Sequence, residues 1–235
     1  MARKKPIVAL DGPAGSGKST VARLVAEKLG FFYLDTGAMY RAVALKSLRE
    51  SINCDDEPAL TRLAQEAHIQ MVPRPSLPPA VFLDGEEVTE PIRSAQVAER
   101  ASWISQYQGV RDALVKRQKM LVEPGGVVVE GRDAQTVIAP DAEVKIFLTA
   151  SLEERARRRW LELRQRGEEI SFEQVVAQTA ERDQRDQDRS VSPLRKADDA
   201  VELDTTNLTA EEAAEIIVRM VKEREHQMAT KGEDL

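Results

Sequence analysis

Pro6-Ile7-Val8-Ala9-Leu10-Asp11-Gly12-Pro13-Ala14-Gly15-Ser16-Gly17-Lys18-Ser19 decides the fold. Its first half is a short continuous apolar run ending in an acid, the pattern of a strand buried on both faces of a parallel sheet. Its second half satisfies G-x-x-x-x-G-K-[ST]. Val21, Leu24, Val25 and Leu29 then recur at helical spacing until Gly30 supplies a stop. Strand, glycine-rich loop and helix in that order give the motif its meaning. The glycines let backbone amides close around an oxyanion, and the helix dipole adds positive potential. Gly12, Pro13, Ala14, Gly15, Ser16, Gly17, Lys18 and Ser19 are therefore candidates for holding a nucleoside triphosphate, with Lys18 on its β and γ phosphates and Ser19 on Mg²⁺. Thr20 adjoins them and reads either as part of the same ATP segment or as helix surface. The alternative for the whole stretch is a glycine-rich turn carrying a solvated lysine.

Outward from this stretch, strands and helices alternate. Phe31 to Leu34 resumes as a strand, and Thr36 can cap a helix carrying Met39, Val43 and Leu48, with Asp35 capping or bracing the same turn. Asp55 to Pro58 opens an amphipathic segment to about His68. Pro73, Pro75, Pro78 and Pro79 then crowd around short apolar stretches at 69–72 and 80–83, and Asp84-Gly85 reads as a hairpin turn, so a small antiparallel insertion is expected. Helical spacing returns from Ile92 to about Leu121, broken near Gln108-Gly109. Further strands are expected at 127–129, 144–149 and 200–203. Ser151 with Glu154 is read as a capping box for an arginine-rich helix to Arg166, Phe172 to Arg189 as a helix, and Thr209 with Glu212 as the box opening a closing helix. The alternation predicts an α/β protein with a mostly parallel sheet flanked by helices.

Composition narrows the function. The chain has 235 residues, 34 Lys plus Arg against 40 Asp plus Glu, a formal charge of −6 and 42% apolar content. A chain-wide basic surface for nucleic acid is absent, and no apolar run approaches a membrane span, so neither partner is expected. One cysteine, Cys54, and two histidines make a zinc site built from those residues implausible, and a reducing cytoplasm is the expected location.

Several segments then point one way: Asp11-Gly12-Pro13 entering the loop, Leu34-Asp35-Thr36-Gly37-Ala38-Met39-Tyr40-Arg41, Val110-Arg111, Gly131-Arg132-Asp133, and Glu181-Arg182-Asp183 through Arg189-Ser190. With these the chain resembles the cytidylate kinase family, the bacterial CMP and dCMP kinases, over nearly its whole length. The resemblance implies a P-loop nucleoside monophosphate kinase fold with a small β-containing insertion domain and an arginine-rich helical lid. It implies transfer of the γ-phosphoryl group of ATP to CMP or dCMP with Mg²⁺, and a monomer is expected. The expected division is a core of 6–35, 127–150 and 200–225, an acceptor region at 36–122 with its insertion at about 69–90, a lid and adjoining helix at 151–190, and a flexible tail at 226–235.

Site residues follow from chemistry and resemblance together. A second anionic substrate has to be brought against ATP, so guanidinium groups should converge beside the loop. Arg41, Arg132 and Arg189 are the candidates for the CMP phosphate, with Lys18, Arg132 and Arg189 catalytic. Arg41 reads alternatively as a helix-surface cation and Arg189 as part of a solvated charge run. Arg182, Asp186 and Arg189 are four then three apart and share one helix face, where Asp186 can accept ribose hydroxyl bonds; an ion-pair ladder is the alternative. By resemblance, Asp133 accepts from cytosine N4 while Arg111 and Ser102 donate to N3 and O2, and Thr36 joins the CMP set. Ser102 reads equally as a small helix residue. Glu130 ends a strand where an acid can orient water around Mg²⁺, or is simply a strand-end carboxylate. Arg155, Arg158 and Arg159 are expected to close over ATP as a lid. Two departures from the family pattern stand out. Ala134-Gln135 replaces an apolar residue and glycine, which strains the loop if that glycine needs positive φ, and Ala14 replaces a loop serine found in some members.

Overall fold

The computed structural model describes residues 3–74, 77–165 and 167–233. In chain order its elements are β1 (Ile7–Asp11), α1 (Lys18–Leu29), β2 (Phe32–Asp35), α2 (Thr36–Arg49), α3 (Glu57–Glu66), β3 (Ile69–Arg74), β4 (Leu77–Leu83), β5 (Glu86–Glu87), α4 (Ala95–Ile104) and α5 (Gln108–Val122). There follow β6 (Val127–Gly131), a π-helical turn (Ala134–Ile138), β7 (Val144–Thr149), α6 (Leu152–Gln165), α7 (Phe172–Asp188), β8 (Val201–Asp204) and α8 (Ala210–Glu233). The chain forms two compact units, Met1–Phe31 with Gly125–Leu235, and Phe32–Pro124.

In the first unit the strands lie in the order β6-β1-β7-β8, each pair parallel. Every residue of β1 and β6 is buried, which is why both read as continuous apolar runs rather than alternating ones. Register sets Asp11 opposite Gly131 and Phe147, so the carboxyl ends of β1, β6 and β7 reach one edge together. Ligands of open parallel sheets bind outside that edge, and the glycine-rich loop departs from it. Helix α1 buries Val21, Ala22, Val25 and Ala26, and packs against α8 through the latter's Ala213, Ala214, Ile217 and Val221. Helices α6 and α7 have a small core of their own: Ala156, Leu163 and Val175, flanked by Trp160, Ile170 and Phe172. The Trp160 ring meets Phe172 edge-on at 6.1 Å, and its Nε1 donates to Ile170 O at 3.0 Å.

In the second unit β3, β4 and β5 form an antiparallel sheet. Asp84 and Gly85 take φ of 51° and 89°, the primed turn that matches strand twist. Helices α2, α3, α4 and α5 pack on one another, with Leu60, Leu63, Val97, Ile104 and Leu114 buried.

Some boundaries differ from expectation. The cap of α2 is Asp35, whose Oδ1 accepts from Ala38 N at 2.9 Å, and Thr36 is the first helical residue. Ser151 Oγ accepts from Glu154 N, but the Glu154 carboxylate turns to Arg157 and Arg158, so the expected box is half made. Thr209 and Glu212 form theirs in both directions. Helix α8 continues to Glu233 through the stretch expected as a flexible tail, while residues 234–235 and Arg166 lie outside the described residues. Among the described residues, no helix is long and apolar enough to cross a membrane.

Gln118 on α5 is wholly buried, and neither side-chain amide atom has a hydrogen-bond partner among the described residues. An unsatisfied buried polar group costs about 1–3 kcal/mol, so Gln118→Met, of similar shape, should stabilise the fold on that order and raise the thermal midpoint. A calorimetric midpoint that falls instead would mean the amide is hydrogen-bonded in solution.

Candidate active site

Between β1 and α1 the loop is held close to its neighbours by glycine. A Cβ on Gly12, at φ 150°, would stand 1.9 Å from Leu148 O on β7, and one on Gly15 would stand 2.8 Å from Arg155 O on α6. Neither position tolerates a side chain, because both obstacles are backbone. Within the loop Ser16 Oγ donates to Pro13 O at 3.1 Å, and Lys18 Nζ donates to Pro13 O at 2.7 Å and Ser16 Oγ at 3.4 Å. Ser19 and Thr20 are exposed on the first turn of α1.

Lys18 is buried, and burial followed by the neighbouring Arg132 guanidinium pushes its ammonium down to about 7, against the pull of Glu130, Asp11 and Asp186. Asp11 moves the other way. Burial pushes it up to about 7, while N–H bonds from Gln135 and Ala134 and the charge of Lys18 favour its ionised form. Arg132 Nε donates to Asp186 Oδ2 at 2.7 Å. Burial works against ionisation of Asp186, but Arg132, Arg182 and Arg189 overcome it and hold the carboxyl below its ordinary range. Lys18, Glu130, Arg132, Arg182, Asp186 and Arg189 thus act on one another within a single unit. Arg189 caps α7 from just beyond its last residue, so it does not continue the helix face with Arg182 and Asp186; its Nε donates to Ser192 O. Asp133 is buried at the N-cap position of the π-helical turn.

The arginines expected to form a lid are engaged with protein groups. Arg155 donates to Ala150 O and Ala14 O at 3.0 Å each and pairs with Asp183 at 2.6 Å, so it braces the loop from α6. Arg158 bonds Glu154 and both Thr205 O and Thr205 Oγ, and Thr205 Oγ donates in turn to Ser16 O. Arg159 pairs with Glu162 along its own helix. In the second unit Arg41 pairs with Asp35 at 2.6 Å. Arg111 is buried, donates to Ser105 O at 3.2 Å and lies over the Tyr40 ring at 5.7 Å. Thr36 is buried, and Ser102 is half-buried with its carbonyl accepting from Ser105 Oγ.

Residues 8–223 match the family described as cytidylate kinase. The chain belongs to the cytidylate kinase family. It is 47% identical to the cytidylate kinase of Bacillus licheniformis over 221 residues, covering 94% of this chain and 98% of that one. The Pelotomaculum thermopropionicum cytidylate kinase is 49% identical over 216 residues, 92% of this chain and 96% of the relative. A fused relative, the bifunctional pantoate ligase/cytidylate kinase of a Synechococcus strain, is 47% identical over 222 residues, 41% of its own length.

Against the family pattern, Gln135 proves unstrained. Among described residues only Ser51, Asp84 and Ser192 combine positive φ with a side chain, and Gln135 sits inside the π-helical turn. The roles of Asp11, Asp183, Thr205 and Tyr40 were missed from the sequence. Asp11, Tyr40 and Asp183 lie inside segments that carried the resemblance, and Thr205 directly follows a strand; nothing local marked Asp11 as the cap of a distant turn.

Unfolded, Lys18 has its ordinary value of 10.5. Between about 7 and 10.5 the unfolded chain binds more protons, so this group's contribution rises with pH across that window and is least favourable below it. Lys18→Met should therefore raise the unfolding midpoint of the ligand-free protein more at pH 6 than at pH 9. Turnover should fall about a hundredfold or more. Melts and steady-state kinetics check both; unchanged turnover contradicts the phosphate role.

Proposed function

We propose that this chain transfers the γ-phosphoryl group of ATP to CMP or dCMP, giving the corresponding diphosphates. Membership of the cytidylate kinase family supports the reaction. The observation that carries it is the placement of Arg132, on Asp186, inside the electrostatic field of the loop lysine. Donor-side and acceptor-side cations lie close enough to influence one another, as a reaction joining two anions needs.

Residues 12–20 hold the ATP phosphates, Lys18 sets the β and γ oxygens, and Arg132 with Arg189 offsets charge on the transferring group. Arg41, Arg132 and Arg189 take the acceptor phosphate, Arg182 joins the CMP set beside them, and Asp186 accepts from the ribose. Asp133 accepts from cytosine N4 while Arg111 and Ser102 donate to N3 and O2, a pattern that uracil reverses; Thr36 completes this set. Arg155, Arg158 and Arg159 exclude water from the ATP side. The acceptor phosphate is already an anionic nucleophile, so no strong general base is needed. Among the described residues no group of three His, Cys, Asp or Glu can hold a metal, and the candidate donors are one hydroxyl, Ser19, and one buried carboxylate, Glu130. That donor set suits Mg²⁺, which keeps most of its shell as water and phosphate oxygens. Ser19 and Glu130, directly or through water, would hold it there, and when bound it supplies charge neutralisation at the phosphates. The division into core, acceptor region at 36–122 and lid at 151–190, a monomeric state and a cytoplasmic location belong to the same proposal.

ADP release from Mg-ATP, measured with CMP, dCMP, UMP, AMP and shikimate, tests it. CMP and dCMP should accelerate release many-fold, with little hydrolysis when no acceptor is added. Turnover of another acceptor alone, or acceptor-independent hydrolysis, contradicts the assignment. Arg111→Ala should raise KM for CMP about tenfold to a hundredfold and leave KM for ATP nearly unchanged. Equal losses in both would remove Arg111 from base recognition.

A further inference from the structure

Beyond Gly131 the chain turns through Arg132 and Asp133 into the π-helical turn Ala134–Ile138. A helical turn begins with backbone N–H groups that find no partner inside it. Asp133 stands at the N-cap position, where an aspartate ordinarily accepts one of them, but its side chain makes no capping bond. The cap comes from the neighbouring strand. Asp11 Oδ1 accepts from Ala134 N at 2.9 Å and Asp11 Oδ2 from Gln135 N at 2.8 Å. Both oxygens of a carboxylate with 0% exposure are thus committed to the same turn. Parallel register explains the reach, since Asp11 lies opposite Gly131, the last residue of β6. Gln135 fastens the turn further, with Nε2 donating to Ala9 O at 3.4 Å and Oε1 accepting from Ala197 N at 3.3 Å.

We propose that Asp11 is a positioning residue for Arg132 and Asp133, capping from β1 the turn that follows them so that Asp133 is not spent on its own helix end. Of the charged groups acting on Asp11, Asp133 opposes its ionisation, while Lys18 and Arg132 favour it. The loop strand therefore sets the two side chains that the proposed function gives to the acceptor, and the inference rests on that reading only for what those side chains hold. Bidentate acceptance needs a carboxylate. Asparagine retains one acceptor and turns an amide donor toward the other N–H.

Asp11→Asn in the full-length protein tests the idea. KM for CMP should rise about tenfold while KM for ATP stays within about twofold, the split expected when a charged hydrogen bond on the acceptor side is lost. Equal rises in both KM values, or unchanged CMP kinetics in a folded variant, would overturn it. If the variant does not fold, hydrogen exchange in the wild type decides. The Ala134 and Gln135 amides should exchange as slowly as those of β1 and β6; exchange at the rate of exposed loops overturns the proposal. If the wild type turns over a different acceptor, the assignment to CMP fails by itself. A selective rise in KM for that acceptor in Asp11→Asn would still support positioning.

Discussion

A lysine ammonium buried beside a guanidinium is the constraint around which the nucleotide end of this protein is organised. Lys18 Nζ rests on Pro13 O, with Arg132 opposing its charge and Glu130, Asp11 and Asp186 offsetting it. Those carboxylates stand where they do because β1 and β6 end in register and because α7 brings Asp186 to Arg132. The balance is incomplete, which is why the lysine holds its proton weakly. A polyphosphate brings the negative charge that the carboxylates only partly supply, so stability given up at the loop is returned on binding.

The loop is also a mechanical junction. Gly12 lets it touch β7 and Gly15 lets it touch α6, while Arg155 joins Ala14 O to Asp183 on α7. Because α6 and α7 share a core of Ala156, Leu163 and Val175, the helix expected to move as a lid is tied both to its neighbour and, through Arg155, to the loop. Motion of α6 away from the loop would break the bond from Arg155 to Ala14 O. The arginines of this helix therefore have structural partners as well as a proposed catalytic use.

What the sequence made legible was local. The apolar run of β1, the glycine spacing and the helical stripe of α1 lie within one short segment, and each follows from backbone chemistry alone. The primed turn at Asp84-Gly85 was legible for the same reason. Choices between adjacent residues were not. Asp35 and Thr36 are both good capping types, and only the backbone angles of Asp35 make it the cap of α2. Glu154 could complete a box with Ser151 but is drawn to Arg157 and Arg158, whose charges attract it more than a neutral amide does. Tertiary roles were hidden altogether. Asp11 caps a turn more than a hundred residues away, and Gln135, which looked like strain at a glycine position, proved to be a buried anchor.

The most direct measurement is a crystal structure with CMP and a non-hydrolysable ATP analogue. The account predicts that Lys18 Nζ leaves Pro13 O for the β and γ oxygens, with the amides of the loop around the same phosphates. An analogue bound elsewhere, with Lys18 still on Pro13 O, would contradict it.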